Sequence, residues 1–181
     1  MNTDVLPDVH SAPPTDDTAI RPPDLDDGAD MWRIARDSRV LDLNSTYAYL
    51  LYCRNFARSC RVAVIDGEMA GFVMGHFPAE QPETLFIWQI AVAERFRGRG
   101  LAVQLLDDVA AAACAEDGVK FLETTITDDN VGSRRTFASF SERHGAPMER
   151  TSLFTGEHFV DESTNPEYLY RIGPLSRVTA R

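Results

Sequence analysis

Residues 84–102 have the sequence TLFIWQIAVAERFRGRGLA, and this stretch decides the fold. Residues 84–92 form a nearly continuous run of β-type apolar residues, which is typical of a central strand covered on both faces. Residues 101–115 follow a helical period. Their apolar stripe consists of Leu101, Leu105, Leu106, Val109, Ala112 and Ala113. The stretch therefore predicts a buried strand, a glycine-containing turn and an amphipathic helix in direct succession.

The turn between strand and helix predicts an anion site. Its glycines, Gly98 and Gly100, allow the backbone to approach a ligand closely, and the first amides of a helix attract negative charge. Arg95, Arg97 and Arg99 add positive charge at the same place. The spacing fits neither a Walker loop nor the dinucleotide-binding fingerprint. We interpret the turn as a pyrophosphate cradle, the alternative being a tight turn with solvated arginines.

The rest of the chain predicts a mixed α/β domain, in the order strand, two helices, three strands, helix, strand, helix and two strands. Residues 1–19 are rich in Pro, Asp and Ser and predict a disordered tail. We expect one domain over residues 20–173 and a flexible C-terminus over residues 174–181. The predicted elements beyond the deciding stretch are an edge strand at 20–23, helices at 26–39 and 45–56, strands at 60–65 and 69–77 joined by Asp66-Gly67, a strand at 119–127, a helix at 130–144 stopped by Gly145, and strands at 150–155 and 168–172.

Composition and charge exclude several classes of protein. The formal net charge is −10, and nucleic-acid binders need basic surfaces, so we expect no nucleic-acid partner. Cys53, Cys60 and Cys114 are sparse and include no CxxC pair, so neither a zinc site nor a disulfide framework is indicated. With no signal peptide and no run of 18 apolar residues, we expect a cytoplasmic protein with no membrane partner and no metal.

The segment Arg97-Gly98-Arg99-Gly100-Leu101-Ala102 resembles the Arg/Gln-x-x-Gly-x-Gly/Ala signature of the GNAT acetyltransferases. The resemblance covers roughly residues 20–172. It implies the GNAT fold, a central splayed mixed β-sheet flanked by helices, and acetyl-CoA as co-substrate. The implied cofactor-binding residues are Ile90, Ala91 and Val92 on the strand, Arg97, Gly98, Arg99, Gly100, Leu101 and Ala102 in the turn, and Asn130 and Ser133 on the following helix.

A narrower resemblance comes from residues 41–53 (LDLNSTYAYLLYC), 85–92 (LFIWQIAV) and 127–137 (TDDNVGSRRTF). Together they are similar to the diaminobutyrate acetyltransferases that begin ectoine synthesis. This resemblance implies acetylation of the side-chain amine of L-2,4-diaminobutyrate, a role in osmoprotection and a homodimer. Another small amine or a polyamine is the alternative acceptor.

Acetyl transfer needs groups that bind the cationic acceptor and accept its proton. Asp42 is a candidate for the cationic end, although a residue before a helix also serves as a cap. Tyr47 is a candidate hydrogen-bond donor or proton shuttle, with core packing as the alternative. Trp88, expected on the same strand face as Phe86 and Ile90, is a candidate pocket wall or else a core residue.

Glu157 and His158 are the late candidates for substrate binding and proton acceptance, because histidine titrates near neutral pH. A solvated loop is the alternative. Many GNAT enzymes place a tyrosine seven residues after the asparagine to protonate the CoA thiolate, but this chain has Phe137 there. The acid is therefore unassigned among Tyr47, His158 and water, and a non-catalytic acyl-CoA-binding domain stays open as an alternative.

Overall fold

A seven-stranded mixed sheet carries two helices on each face. The structure is a computed structural model that describes residues 18–160, 165–176 and 178. The strands are β1 Thr18–Arg21, β2 Arg61–Ile65, β3 Glu68–His76, β4 Thr84–Val92, β5 Phe121–Ile126, β6 Met148–Phe154 and β7 Glu167–Ile172. The helices are α1 Gly28–Ser38, α2 Thr46–Asn55, α3 Leu101–Glu116 and α4 Val131–His144.

The sheet order is β1-β2-β3-β4-β5-β7-β6, and β4 with β5 is its parallel pair. The predicted strands and helices are all present, with bounds that differ by a few residues. The β2–β3 hairpin turns at Asp66 and Gly67, whose φ angles of 51° and 80° are the left-handed values that an Asp-Gly turn favours. Helix α4 ends at Gly145, also left-handed, as predicted.

Two apolar cores lie on opposite faces of the sheet. The larger core joins α3 and α4 to the sheet through residues such as Leu105, Leu106 and Phe140. The smaller core joins α1 and α2 to the sheet through residues such as Met31 and Phe72. The central strands are thus covered on both faces, as the apolar run at 84–92 predicts.

The domain extends beyond the predicted bounds of 20 and 173. Thr18 and Ala19 already pair with β2. Strand β1 ends at Arg21, directly before Pro22, which has no N–H to continue the pairing. Leu175 and Val178 are buried in the larger core, and the Leu175 amide donates to the Lys120 carbonyl at 2.8 Å. Two apolar side chains thus hold part of the segment that we expected to be flexible. Residues 1–17 of the predicted tail lie outside the described residues.

Within the described part of the chain, no helix has the length and apolar character needed to cross a bilayer. The described residues also contain no group of three or more His, Cys, Asp or Glu side chains placed to hold a metal ion.

Candidate active site

Strands β4 and β5 separate halfway along their length. Their pairing runs from Thr84 opposite Phe121 to Ile87 opposite Thr124 and stops there. The remaining half of β4 pairs only with β3, on its other edge. The backbone of residues 88–92 is therefore left open toward β5, which is the splay that the GNAT resemblance implies.

A β-bulge at Trp88 accompanies the splay. On β3, Met74 pairs with Gln89 and Gly75 pairs with Ile87, so Trp88 is the extra residue. Alternation is therefore interrupted: Ile87 and Ile90 both pack with the larger core. The expectation that Trp88 shares one strand face with both Phe86 and Ile90 is wrong, because the bulge reverses the faces after residue 88.

A cavity of about 570 Å³ lies beside the open half of β4. It is bordered by β4, the glycine turn, the first turns of α3 and α4, and the loop that follows α1. Its lining includes nearly the whole predicted cofactor set, namely Ile90, Ala91, Val92, Arg97, Gly98, Gly100, Leu101, Ala102, Asn130 and Ser133. The structure thus brings these residues together from β4, the glycine turn, α3 and α4, and their binding of a cofactor stays a prediction.

The glycine turn presents backbone amides to this cavity. Gly98 and Gly100 have φ angles of 79° and 73°, which side chains strain to adopt. Gly100 is the N-cap residue of α3. As a glycine it has no side chain that could accept from the first amides of the helix. Among the described residues, no backbone carbonyl accepts from the amides of Gly98, Gly100, Leu101 or Ala102. These donors, at the positive end of the helix dipole, are suited to a phosphate.

Helix α4 begins at the same cavity. The Asn130 side chain caps it by accepting a hydrogen bond from the Ser133 amide at 3.0 Å. The N-termini of α3 and α4 therefore border one cavity, and the positive end of each helix dipole attracts an anion there. Sequence reasoning missed Thr136 and Ser139, which also line it. Their three-residue spacing from Ser133 places all three hydroxyls on one helix face, a signal that was available.

The three arginines of the turn have different environments. Arg97 lines the cavity, and its Nε donates to the Val92 carbonyl at 3.1 Å. Arg95 forms an ion pair with Glu68 and lies over the Phe96 ring. The Arg99 guanidinium lies 5.6 Å from the centre of the same ring, and Arg99 does not line the cavity, unlike the rest of the predicted turn. Arg97 is therefore the arginine of this turn placed at the cavity.

Phe137 is buried in the larger core, with 1% of its surface exposed. Phenylalanine also has no proton to donate. Any group that protonates a leaving thiolate is therefore another residue or water.

The predicted substrate residues Asp42, Tyr47 and Trp88 lie outside the cavity lining. Asp42 is exposed in the loop between α1 and α2, directly after Leu41, which lines the cavity. Tyr47 is 69% exposed on the first turn of α2. Trp88 is 40% exposed and its ring lies 5.3 Å from that of Tyr52. Tyr47 is therefore not a core residue, and Trp88 is only partly packed in the core.

Glu157 and His158 are exposed in a 3-10 turn after β6. The Thr155 amide donates to His158 Nδ1 at 3.0 Å, and the Thr155 hydroxyl lies at the same distance from Nδ1. The nitrogen that accepts this bond is the basic nitrogen of a neutral ring. In this conformation the turn itself uses the lone pair that a general base needs, so the catalytic role of His158 stays a prediction.

Glu167, at the start of β7, is a candidate that sequence reasoning missed. Its Oε2 atom is buried and has no hydrogen-bond partner among the residues that the structure describes. Burial raises the pKa of this carboxyl, and the negative charges of Asp42 and Asp129 raise it further, against a Thr125 hydrogen bond that lowers it. Glu167 is thus in electrostatic reach of both the loop with Asp42 and the cavity-lining Asp129. A partly buried carboxyl beside two other acids, with one oxygen that accepts no hydrogen bond from the described residues, is suited to a cationic ligand.

The sequence is similar to known acetyltransferases. The model of the acetyltransferase (GNAT) family matches residues 28–141. An L-2,4-diaminobutyric acid acetyltransferase of Streptomyces avermitilis is 50% identical over 155 residues, covering 85% of this chain and 87% of that protein. The Streptomyces coelicolor protein of the same name is 52% identical over 162 residues, covering 88% and 95%.

A solved structure extends this similarity to three dimensions. The diaminobutyrate acetyltransferase EctA of Paenibacillus lautus, in complex with its substrate L-2,4-diaminobutyric acid and coenzyme A, superimposes with a TM-score of 0.82. The two sequences are 36% identical, and the match covers 88% of this chain and 96% of that one.

Proposed function

The chain belongs to the acetyltransferase (GNAT) family, and from this premise we propose that it transfers the acetyl group of acetyl-CoA to the 4-amino group of L-2,4-diaminobutyrate. The products are N4-acetyl-L-2,4-diaminobutyrate and CoA, and the reaction belongs to ectoine biosynthesis. The observation that carries the proposal is the cavity at the splay of β4 and β5, with amides at the start of α3 that donate to no backbone carbonyl of the described residues.

The donor half of the site is built from backbone. The amides of Gly98, Gly100, Leu101 and Ala102 bind the pyrophosphate, with Arg97 beside them. The open edge of β4 at residues 90–92 takes the pantetheine arm, and Asn130 and Ser133 contact it from α4. Acetyl-CoA supplies the activated thioester. An amide of residues 90–92 stabilises the negative charge that develops on its carbonyl oxygen.

The acceptor half of the site is acidic. Asp42 and Glu167 attract the ammonium groups of the diamino acid, and Trp88 forms an apolar wall at the bulge. A basic amine of this kind arrives protonated, because its pKa is about 10, so one proton must leave before attack. Glu167, Glu157, His158 and Tyr47 are the proposed groups for binding and proton transfer, and Glu167 has the support of a raised pKa and an unpaired oxygen.

A steady-state assay tests the proposal. Release of CoA is measured with diaminobutyrate, putrescine and lysine as acceptors, and the acetylated nitrogen is identified by NMR. We expect the highest kcat/KM with diaminobutyrate and acetylation at N4. Equal activity on all three amines would contradict the substrate assignment, whereas CoA binding without any transfer would favour a non-catalytic domain.

The assembly and location of the protein are also proposed. Strand β6 is an edge of the sheet, pairs with β7 alone among the described strands and is exposed along nearly its whole length. Such an edge suits a second copy of the chain, so we propose a homodimer. We place the reaction in the cytoplasm, where acetyl-CoA is produced, and its product in the response to osmotic stress. Light scattering in solution and an acetyl-CoA turnover assay on cytosolic extract test these points.

A further inference from the structure

Gln89 is a buried polar residue in the middle of the central strand. It is 4% exposed and lies directly after the bulge at Trp88. Its Nε2 donates to the backbone carbonyl of Asp42 at 2.8 Å. Its Oε1 accepts from the hydroxyl of Tyr49, which is fully buried, at 2.9 Å. The two bonds fix the orientation of the amide, because a backbone carbonyl can only accept.

The bond to Asp42 holds an irregular loop. Residues 39–45 connect α1 to α2 and contain no helix or strand. Besides Gln89, the indole of Trp32 donates to the Asn44 carbonyl at 3.2 Å. The backbone on both sides of Leu43 is therefore attached to the domain. The side chain of Asp42 itself is exposed, so its direction depends on these backbone anchors.

The fold alone does not require a polar side chain at position 89. The neighbouring buried residues Phe72, Met74 and Ala91 form an apolar core with Tyr49. An apolar pair in place of Gln89 and Tyr49 would fill the same space without burying polar groups, which is often neutral or stabilising. The polar side chain of Gln89 is therefore better explained by its hydrogen bond to the loop at Asp42 than by packing of the core.

We propose that Gln89, oriented by Tyr49, is a positioning residue for the acceptor amine. It holds the Asp42 backbone so that the Asp42 carboxylate is directed toward the amine together with Glu167. Because Gln89 is directly next to the cofactor-binding residues 90–92, one strand aligns the donor and the acceptor loop. This inference rests on the proposed function, since Asp42 is assigned to the diamino acid there.

The test compares Gln89→Met with the double variant Tyr49→Phe/Gln89→Met. Gln89→Met removes the anchor and the amide oxygen that accepts from the buried Tyr49 hydroxyl, so it lowers Tm. The double variant removes both polar groups, so Tm recovers. We expect the KM for diaminobutyrate to rise about tenfold in both variants, as loss of one well-placed hydrogen bond predicts. The KM for acetyl-CoA should be unchanged.

A purely structural role predicts the opposite pattern. In that case the KM for diaminobutyrate returns to the wild-type value together with Tm in the double variant, and the inference is overturned. An equal rise in both KM values overturns it as well. Ser59→Ala is the matched control, because Ser59 also uses a buried side chain to donate to a sheet carbonyl, that of Gly75 at 2.7 Å, away from the loop. It should lower Tm and leave both KM values unchanged.

Failure of the inference and failure of the proposed function give different results. If the wild type acetylates no diaminobutyrate, the proposed function is refuted and the inference with it. If the wild type acetylates diaminobutyrate and Gln89→Met keeps its KM, only the inference is refuted. Calorimetric titration of diaminobutyrate into the protein with CoA present gives the same comparison without turnover.

Discussion

Substitution of Glu167 by glutamine should make the protein more stable and less active. The Oε2 of Glu167 is buried without a partner, and burial raises the pKa of the carboxyl. An unsatisfied buried polar group costs about 1–3 kcal/mol, and the lower end applies because Glu167 is only partly buried. Removing the charge should recover about 1 kcal/mol, or roughly 2–4 °C in Tm for a domain of this size.

The same substitution removes an anion from the acceptor site. Loss of one partner of a desolvated charge pair costs about 2 kcal/mol or more, which corresponds to a rise of roughly 30-fold in the KM for diaminobutyrate. The comparison variant is Glu157→Gln, since Glu157 is the other glutamate proposed for the acceptor site and is exposed in the 3-10 turn after β6. Kinetics and thermal unfolding of both variants would show which of the two acids binds the amine.

The stability gain should depend on pH with a definite sign. A carboxyl whose pKa is raised in the folded state costs stability only when it is ionised. The Tm difference between Glu167→Gln and wild type should therefore be absent below the ordinary glutamate pKa of about 4.3. It should grow as the pH rises and be complete above the raised pKa. A variant that is less stable than wild type at pH 7, or that keeps the wild-type KM, would refute this reasoning.

Three further substitutions test the donor half and the core. Gly100→Ala and Gly67→Ala both force a side chain into a left-handed backbone with nothing in close contact, so each should cost about 1 kcal/mol, but only Gly100→Ala should raise the KM for acetyl-CoA. Asp107→Ala removes a buried carboxylate that pairs with Arg143 and His144 and should cost about 1.5–3 kcal/mol in chemical denaturation, whereas the exposed Asp37→Ala should leave stability nearly unchanged. Phe137→Tyr buries an extra hydroxyl and should lower stability by about 1–3 kcal/mol without raising kcat, whereas a higher kcat would show that this position reaches the thiolate.

The proposed donor half of the site could be inferred from the sequence because its residues lie close together in the chain. A strand, a glycine turn and a helix in succession fix the direction of their own amides, so residues 90–102 identify the cavity without knowledge of distant contacts. The splay was predictable only through family resemblance. The position of the bulge was not predictable, because it depends on pairing with Gly75 of β3, where a Cβ would lie 2.5 Å from the Phe86 carbonyl.

The acceptor half was harder to predict because it is assembled across the chain. Asp42 and Glu167 are 125 positions apart in the sequence, and nothing in the local pattern EYLYRI distinguishes Glu167 from a solvated strand residue. Its loss of solvent and its proximity to other acids arise only when β7 packs beside β5. Gln89 gave a partial signal, since a buried amide requires partners, but the sequence could not name them.

The bulge at Trp88 divides β4 into two parts whose odd-numbered residues pack in different layers. Before it, Leu85 and Ile87 share the layer of α3 and α4, and after it Gln89 and Ala91 share that of α1 and α2. If the same nine residues alternated strictly, with no bulge, Gln89 and Ile90 would each be turned toward the opposite layer. The extra residue therefore lets one strand direct an amide toward the loop with Asp42 and, one position later, an apolar side chain toward α3 and α4.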